Sequence, residues 1–247
     1  MPTIYLSPST QEYNAYVIGG SEEYYMNLLA DALEPYLIAN GIGFVRNDPN
    51  ANAAAAIRQS NAGNFDLHLA LHSNAASPER SGQMRGIDIY LYPGSIQGRR
   101  AGEIFLENFK SIYPLPNQVR ILTTTRLGEV RQTKAPSVFL EIGYHDNPED
   151  ARWIVDNIPT IARSIALSLT EYFDIPFVEP DLAQRGRVTL SSGTLNLREA
   201  PSVNSAVLLG IPNGAELTVQ DDYNGWYSTR YNGVAGYVNA SYVNLEG

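Results

Sequence analysis

Short apolar segments alternate with segments of helical periodicity from residue 3 to residue 173, and this order constrains the fold more than any other feature of the chain. Strands that alternate with helices are typical of an α/β domain, because successive parallel strands need a crossover that a helix usually supplies. The order therefore predicts a mixed, largely parallel sheet flanked by helices. The predicted strands are 3–7, 42–46, 65–73, 86–92 and 137–144, and the predicted helices are 21–34, 53–62, 95–113 and 158–173, with an Asn-Pro helix start at 147.

Two proline-containing stretches mark expected boundaries. Pro35 lacks a backbone donor, so we expect the first helix to kink or end there. Residues 176–185 hold Pro176 and Pro180 and show no apolar period, which is typical of a linker. After the linker, short β-rich segments are separated by Asn-Gly pairs at 213–214, 224–225 and 232–233. We therefore predict a domain at 1–175 and a small SH3-like β-barrel at 186–247.

The composition excludes several classes of site and partner. A formal net charge of -9 argues against a nucleic-acid partner, because phosphate neutralisation needs a basic face. The chain has no cysteine, so it can form neither a disulfide nor a thiolate zinc site. No apolar run is long enough to span a bilayer, and the first residues do not have the pattern of a signal peptide.

Two of the three histidines lie in the segment 65–76, where an apolar strand passes into a polar loop. In an extended strand His68 and His72 face the same side but are separated by about 13 Å, so they cannot bind one ion together. His72 lies where the strand yields to the loop, which favours it as a metal ligand. His68 lies deeper in the apolar run and is expected in the core or behind the ligand.

Three further titratable residues have positions that suit a site. Glu141 ends an apolar strand, where a carboxylate is costly unless it is paired or protonated, and His145 follows in the next loop. Glu22 shares a helical stripe with apolar residues and is the inward glutamate, whereas Glu23 is expected to face solvent. Structural interpretations are also open. Glu22 and Glu23 both suit the helix dipole, and Asn147 can cap the next helix.

The order of these motifs resembles the zinc-dependent N-acetylmuramoyl-L-alanine amidases of the bacterial cell wall. The resemblance is carried by an early glutamate in 21–37, a strand ending His-Ser-Asn-Ala in 65–76, and a strand ending Glu-Ile-Gly-Tyr-His-Asp-Asn in 134–147. Residues 193–243 resemble a bacterial SH3-type domain, a frequent wall-binding partner of such hydrolases. The resemblance implies Zn²⁺ as cofactor, peptidoglycan as substrate and partner, and action at the cell wall or outside the cell.

Carried over by position, the resemblance implies Glu22 and His72 as zinc ligands and Glu141 as the catalytic glutamate. Asn74, on the same rim as His72, is a candidate substrate contact. The chain departs from the family at Thr10, where the family's first strand ends in a zinc-binding histidine. We expect His145 to supply the missing ligand, with Gln11 or a two-ligand site as alternatives.

If zinc is bound, the expected chemistry is hydrolysis of the bond between N-acetylmuramoyl and L-alanine by a zinc-activated water, with Glu141 as general base. Two other functions stay open. Without the metal, the amidase fold would only bind wall fragments, and with it the same scaffold could cleave another amide.

Overall fold

The computed structural model describes residues 1–180, 183–222 and 225–246, and these fall into two compact units, Met1–Phe177 and Val178–Gly247. Within the described ranges, no helix is both long enough and apolar enough to cross a bilayer.

The first unit contains six strands and six α-helices. The strands are β1 (Thr3–Pro8), β2 (Gly43–Arg46), β3 (Leu67–Asn74), β4 (Ile87–Leu91), β5 (Val119–Thr123) and β6 (Ser137–Tyr144). The helices are α1 (Glu22–Ala39), α2 (Ala53–Ala62), α3 (Ile96–Ile112), α4 (Gly128–Arg131), α5 (Pro148–Asp156) and α6 (Ile158–Phe173).

The six strands form one mixed sheet in the order β2-β1-β3-β6-β4-β5. Four of the five strand pairs are parallel, and the pair β4–β6 is antiparallel. The expectation of a mixed, largely parallel sheet flanked by helices is confirmed. Because of the antiparallel pair, β4 and β5 run opposite to the other four strands, so their first residues lie at the edge where β1, β3 and β6 end.

The two faces of the sheet differ in chemistry because side chains alternate along each strand. One face packs its apolar residues, such as Leu6, Leu69 and Leu140, into the main core with α1, α3 and α6. The opposite face carries a smaller cluster of Ala70, Phe139 and Val130 of α4. We call this second face the polar face, since the charged residues of β3, β4, β5 and β6 project from it.

Helix α1 begins at its predicted cap, because the Ser21 side chain accepts a hydrogen bond from the backbone N–H of Tyr24. Of the two outcomes expected at Pro35, a kink or an end, the helix does not end there but continues to Ala39. Proline removes one hydrogen bond from the helix. Leu33 and Leu37, both fully buried on either side of it, hold the helix on the sheet and offset that loss.

Strand β5 was not predicted from the sequence. It has only five residues, follows a loop with two prolines, and pairs with β4 alone at the edge of the sheet. Its register with β4 places Arg120 beside Asp88. A short edge strand without strict alternation gives little signal in a sequence.

The described residues of the second unit are mainly β, as expected, with seven strands in the order β13-β7-β10-β11-β12-β8-β9. The strands are β7 (Gln184–Val188), β8 (Thr194–Arg198), β9 (Val207–Pro212), β10 (Glu216–Asp222), β11 (Trp226–Tyr231), β12 (Val234–Asn239) and β13 (Val243–Glu246). The Asn-Gly pair at 232–233 closes the β11–β12 hairpin, with φ of 50° and 80° as a two-residue turn requires. The pair at 224–225 lies partly outside the described residues.

Candidate active site

A row of charged residues crosses four neighbouring strands on the polar face. The strand register places His72 of β3 beside Glu141 of β6, Glu141 beside Asp88 of β4, and Asp88 beside Arg120 of β5. Directly paired residues of adjacent strands project from the same face. Two predicted site residues, His72 and Glu141, are therefore neighbours, and Asp88 and Arg120 extend the site beyond the prediction.

Helix α1 brings a second carboxylate to His72. Glu22 lies in the first turn of α1 and is almost fully buried, and its Oε1 lies 2.8 Å from His72 Nδ1. Asn14 donates a hydrogen bond of 2.6 Å to Glu22 Oε2. Although burial alone would raise the pKa of Glu22, the hydrogen bonds from His72 and Asn14 hold that pKa below its usual value. The prediction that Glu22 faces inward is confirmed.

The other nitrogen of His72 faces a third carboxylate, Glu129 of α4. His72 Nε2 lies 3.4 Å from Glu129 Oε2, while Ser7 Oγ donates to Glu129 Oε1 at 2.6 Å. His68 Nε2 is 3.7 Å from the same Oε1. Burial alone would lower the pKa of His72, but the two carboxylates outweigh it and raise that pKa to about 10. Glu22 and Glu129 therefore lie against the two ring nitrogens of His72, one on each side.

Glu129 was missed in the sequence because its helix has only four residues and no periodicity. A lone acidic residue in the segment Leu-Gly-Glu-Val was the available signal. His68 is fully buried, stacks on Tyr5 at a centroid distance of 5.2 Å, and shares a 2.9 Å hydrogen bond with Ser60. Of the two positions expected for His68, the core is therefore confirmed.

Glu141 is a partly buried acid of the site. Its Oε2 is shielded from solvent and has no hydrogen-bond partner among the described residues. Burial is the main cause that raises its pKa to about 8; His72 opposes this, while Glu22 and Asp88 add to it. A carboxyl group with a raised pKa next to an imidazole suits proton transfer.

Asp88 organises the far end of the row. It is 2% exposed, and its Oδ1 accepts hydrogen bonds from Arg120 Nε at 2.9 Å and forms an ion pair with Nη2 at 2.7 Å. Its Oδ2 accepts from Asn74 Nδ2 and from the Tyr144 hydroxyl, both at 3.2 Å. Asn74 thus lies on the site rim, as expected, and its amide is held by Asp88.

Tyr144 reaches this face because of a β-bulge. Between the pairs His72–Glu141 and Asn74–Tyr144 the register shifts by one residue, with Gly143 at a φ of 73°. Such a φ strongly favours glycine, and a Cβ at Gly143 would lie 3.1 Å from Ile154 Cδ1. The bulge therefore turns Tyr144 to the same face as Glu141.

His145 has a different environment from the other predicted ligands. Its Nδ1 lies 3.0 Å from both the hydroxyl and the carbonyl oxygen of Ser73, and its ring stacks on Tyr16. A carbonyl oxygen can only accept, so Nδ1 carries a proton. Among the described residues, no hydrogen bond or ion pair joins His145 to Glu22 or His72.

The side chains that could hold a zinc ion are Glu22, His72 and Gln11. Glu22 Oε1 and His72 Nδ1 are 2.8 Å apart, and a carboxylate oxygen and an imidazole nitrogen are both atom types that zinc binds. Glu129 behind His72 resembles the carboxylate that commonly orients a metal-binding histidine. The Gln11 side-chain amide lies 3.3 Å from His72 Nδ1.

Glu22 and His72 therefore bring together two side chains of types that zinc prefers. Gln11 faces His72 through Nε2, and its Oε1 accepts hydrogen bonds from Tyr13 and Asn14. In the described part of the chain, no group of three histidine, aspartate or glutamate side chains is arranged to hold a metal ion. Thr10 lines a small cavity with His72 and Glu129, so the departure from the expected histidine falls inside the site.

Residues 9–171 match the family model of N-acetylmuramoyl-L-alanine amidases. The chain belongs to this family. Residues 193–244 match the model of the bacterial SH3 domain, which agrees with the antiparallel second unit. Among curated proteins, no relative matches the chain.

Solved amidase structures share the fold of the first unit. The catalytic domain of CwlV from Paenibacillus polymyxa is 16% identical with a TM-score of 0.61, and the match covers 71% of this chain and 100% of that one. AmiC2 from Nostoc punctiforme is 16% identical with a TM-score of 0.59, covering 70% and 97%. Ami1 from Mycobacterium smegmatis is 12% identical with a TM-score of 0.58, covering 70% and 97%. At these identities the likeness establishes the fold.

Proposed function

We propose that this chain hydrolyses the amide bond between N-acetylmuramoyl and L-alanine in peptidoglycan, with zinc as cofactor and Glu141 as general base. The observation that supports the proposal is the contact of Glu22 Oε1 with His72 Nδ1, next to Glu141, whose Oε2 is shielded from solvent. Membership of the amidase family supports the same reaction.

In this proposal Glu22 and His72 hold the ion and Gln11 or His145 completes the set. A zinc ion there would supply an activated water, polarise the scissile carbonyl, and favour the ionised form of Glu141. Glu141 would accept the proton of the attacking water and pass it to the leaving amine of alanine. Glu129 would keep the His72 ring in place with Nδ1 toward the ion.

The third ligand can be assigned by substitution. Gln11→Ala should weaken zinc binding strongly if the amide is the ligand, whereas His145→Ala should leave zinc affinity unchanged. Competition with a zinc-binding dye gives both affinities. The opposite pattern would assign His145, as the sequence predicted.

The second unit is proposed to bind the cell wall and so raise the local concentration of the first unit on its substrate. Trp226, predicted as core, is 9% exposed and lines a cavity with Arg198 and Tyr242. We therefore place the protein's action at the bacterial wall or outside the cell.

The reaction is tested on purified muropeptides in the presence of zinc. Wild type should release free stem peptide, while Glu141→Ala should bind zinc and release none. If wild type loaded with stoichiometric zinc releases no peptide, the amidase proposal is wrong. Release of peptide from another amide substrate only would point to a different hydrolase.

A second function, binding to wall fragments without a metal, is favoured by Thr10 and by the two carboxylates that already pair with His72. The metal content of protein purified without chelator separates the two functions. Stoichiometric zinc supports the enzyme. Absence of zinc, together with measurable binding to wall fragments, supports the binding protein.

A further inference from the structure

The sheet between Glu141 and the edge strand β5 forms a partly open surface on the polar face. Tyr90 of β4 and Leu122 of β5 are paired neighbours on this face, and both are partly exposed. Arg120, two residues before Leu122, lies on the same face with 38% of its side chain exposed. A ligand bound at Glu141 can therefore extend over β4 toward β5.

The guanidinium of Arg120 is held in one orientation. Nε and Nη2 both face Asp88 Oδ1, and the buried Asp88 is fixed by Asn74 and Tyr144. A guanidinium has five N–H donors in a rigid fork, so one carboxylate does not saturate it. The half-exposed group can engage a second carboxylate from solvent in a charge-assisted hydrogen bond.

The spacing of the strands gives the place of that second carboxylate. Arg120 is two strands away from Glu141, and neighbouring strands are about 4.8 Å apart, so the two backbones are about 10 Å apart. An extended peptide advances about 3.3–3.6 Å per residue. A carboxylate that meets Arg120 would thus lie two to three residues from the scissile bond.

We propose that Arg120, held by Asp88, is a carboxylate-binding subsite for the peptide part of the substrate, two to three residues beyond the bond that is cleaved. This inference rests on the proposed function, because it takes Glu141 as the site of cleavage. The ligand class is an acidic peptide with a free backbone or side-chain carboxylate. Because the net charge of the protein is -9, an acidic peptide is repelled by the protein as a whole and attracted locally by the guanidinium of Arg120.

The test compares two muropeptides that differ only in a carboxylate or a carboxamide at the second position of the stem. Their binding is measured by calorimetry and their cleavage by peptide release. Wild type should prefer the carboxylate by about tenfold, the ratio that about 1.4 kcal/mol of a charge-assisted contact gives. The preference should appear in KM and binding, with kcat almost unchanged.

The main variant is Arg120→Gln combined with Asp88→Asn, which removes both charges and leaves no buried carboxylate without its cation. It should bind the two peptides equally. Arg120→Lys keeps the charge but loses the fork and should retain part of the preference. Arg99→Gln is the matched control, because Arg99 is 64% exposed on α3 and contacts Glu103; it should behave as wild type.

The outcomes separate this inference from the proposed function. Equal binding of the two peptides to wild type, or a preference that persists in the double variant, would overturn the subsite. Binding of neither peptide would overturn it as well. Selective binding without any release of peptide would support the subsite and contradict the amidase reaction.

Discussion

Replacing Glu141 with glutamine tests the burial of its carboxyl group without depending on a metal. The pKa of Glu141 is raised from 4.5 to about 8, mainly because burial disfavours the charged form. A raised pKa means that the folded state binds the proton more tightly than the unfolded state. The resulting stabilisation is fully present below pH 4.5 and is lost as the pH rises through 8. Glutamine has the same shape and no charge, so the stability of the variant does not fall as the pH rises through 8.

The size of the effect follows from the shift. The difference between 8 and 4.5 is about 3.5 pKa units, and one unit corresponds to about 1.36 kcal/mol, which gives an upper limit of about 5 kcal/mol. Water that enters the site mouth reduces this value. We expect Glu141→Gln to match wild type near pH 5 and to exceed it by about 2 to 5 kcal/mol at pH 9.

The measurement is urea unfolding at pH 5, 7 and 9 with a chelator present, followed by a probe of the first unit. Glu103→Gln on α3 is the control, since Glu103 is 60% exposed and its replacement should change stability equally at the three pH values. A difference between Glu141→Gln and wild type that stays constant from pH 5 to pH 9 would refute the reasoning about burial.

Three further substitutions have defined outcomes. His72→Ala should abolish zinc binding, which titration with a metal indicator detects; full zinc occupancy would remove His72 from the ligand set. Gly143→Ala should lower the free energy of unfolding by about 1 to 3 kcal/mol, because its φ of 73° disfavours a side chain and the new methyl meets Ile154. A stability like that of wild type would show that the bulge adapts. Asp150→Ala should cost about 3 to 5 kcal/mol, since this fully buried carboxylate pairs with Arg85 and accepts from the backbone N–H of residues 86 and 144; a loss below about 1 kcal/mol would contradict that role.

Much of the first unit could be predicted because its strands and helices have strong periodicity and conventional start signals. Ser21 and Asn147 cap helices where the sequence indicated. The parity argument for His68 and His72, and the stripe argument for Glu22, hold since both depend only on local geometry.

Of the four residues in the charged row, only His72 and Glu141 were predicted from the sequence. Functional groups are expected where parallel strands end, and this expectation predicts His72 and Glu141. Asp88 and Arg120 stand at the starts of β4 and β5, and they reach the same edge only because those strands run in reverse. Strand direction is set by packing between distant segments, so no local pattern encodes it. Glu129 was missed because its four-residue helix has no periodicity, and its partners Ser7 and His72 come from distant parts of the chain.

The reversal of β4 and β5 also separates two tasks on different parts of the backbone. The groups proposed to bind the ion and transfer the proton come from β3, β6 and α1, whereas Asp88 and Arg120 come from β4 and β5, near the loops that precede these strands. Those loops can vary in length and charge without moving β3 and β6. If the proposals hold, changes near β4 and β5 can alter which peptide is bound without altering the groups proposed for hydrolysis.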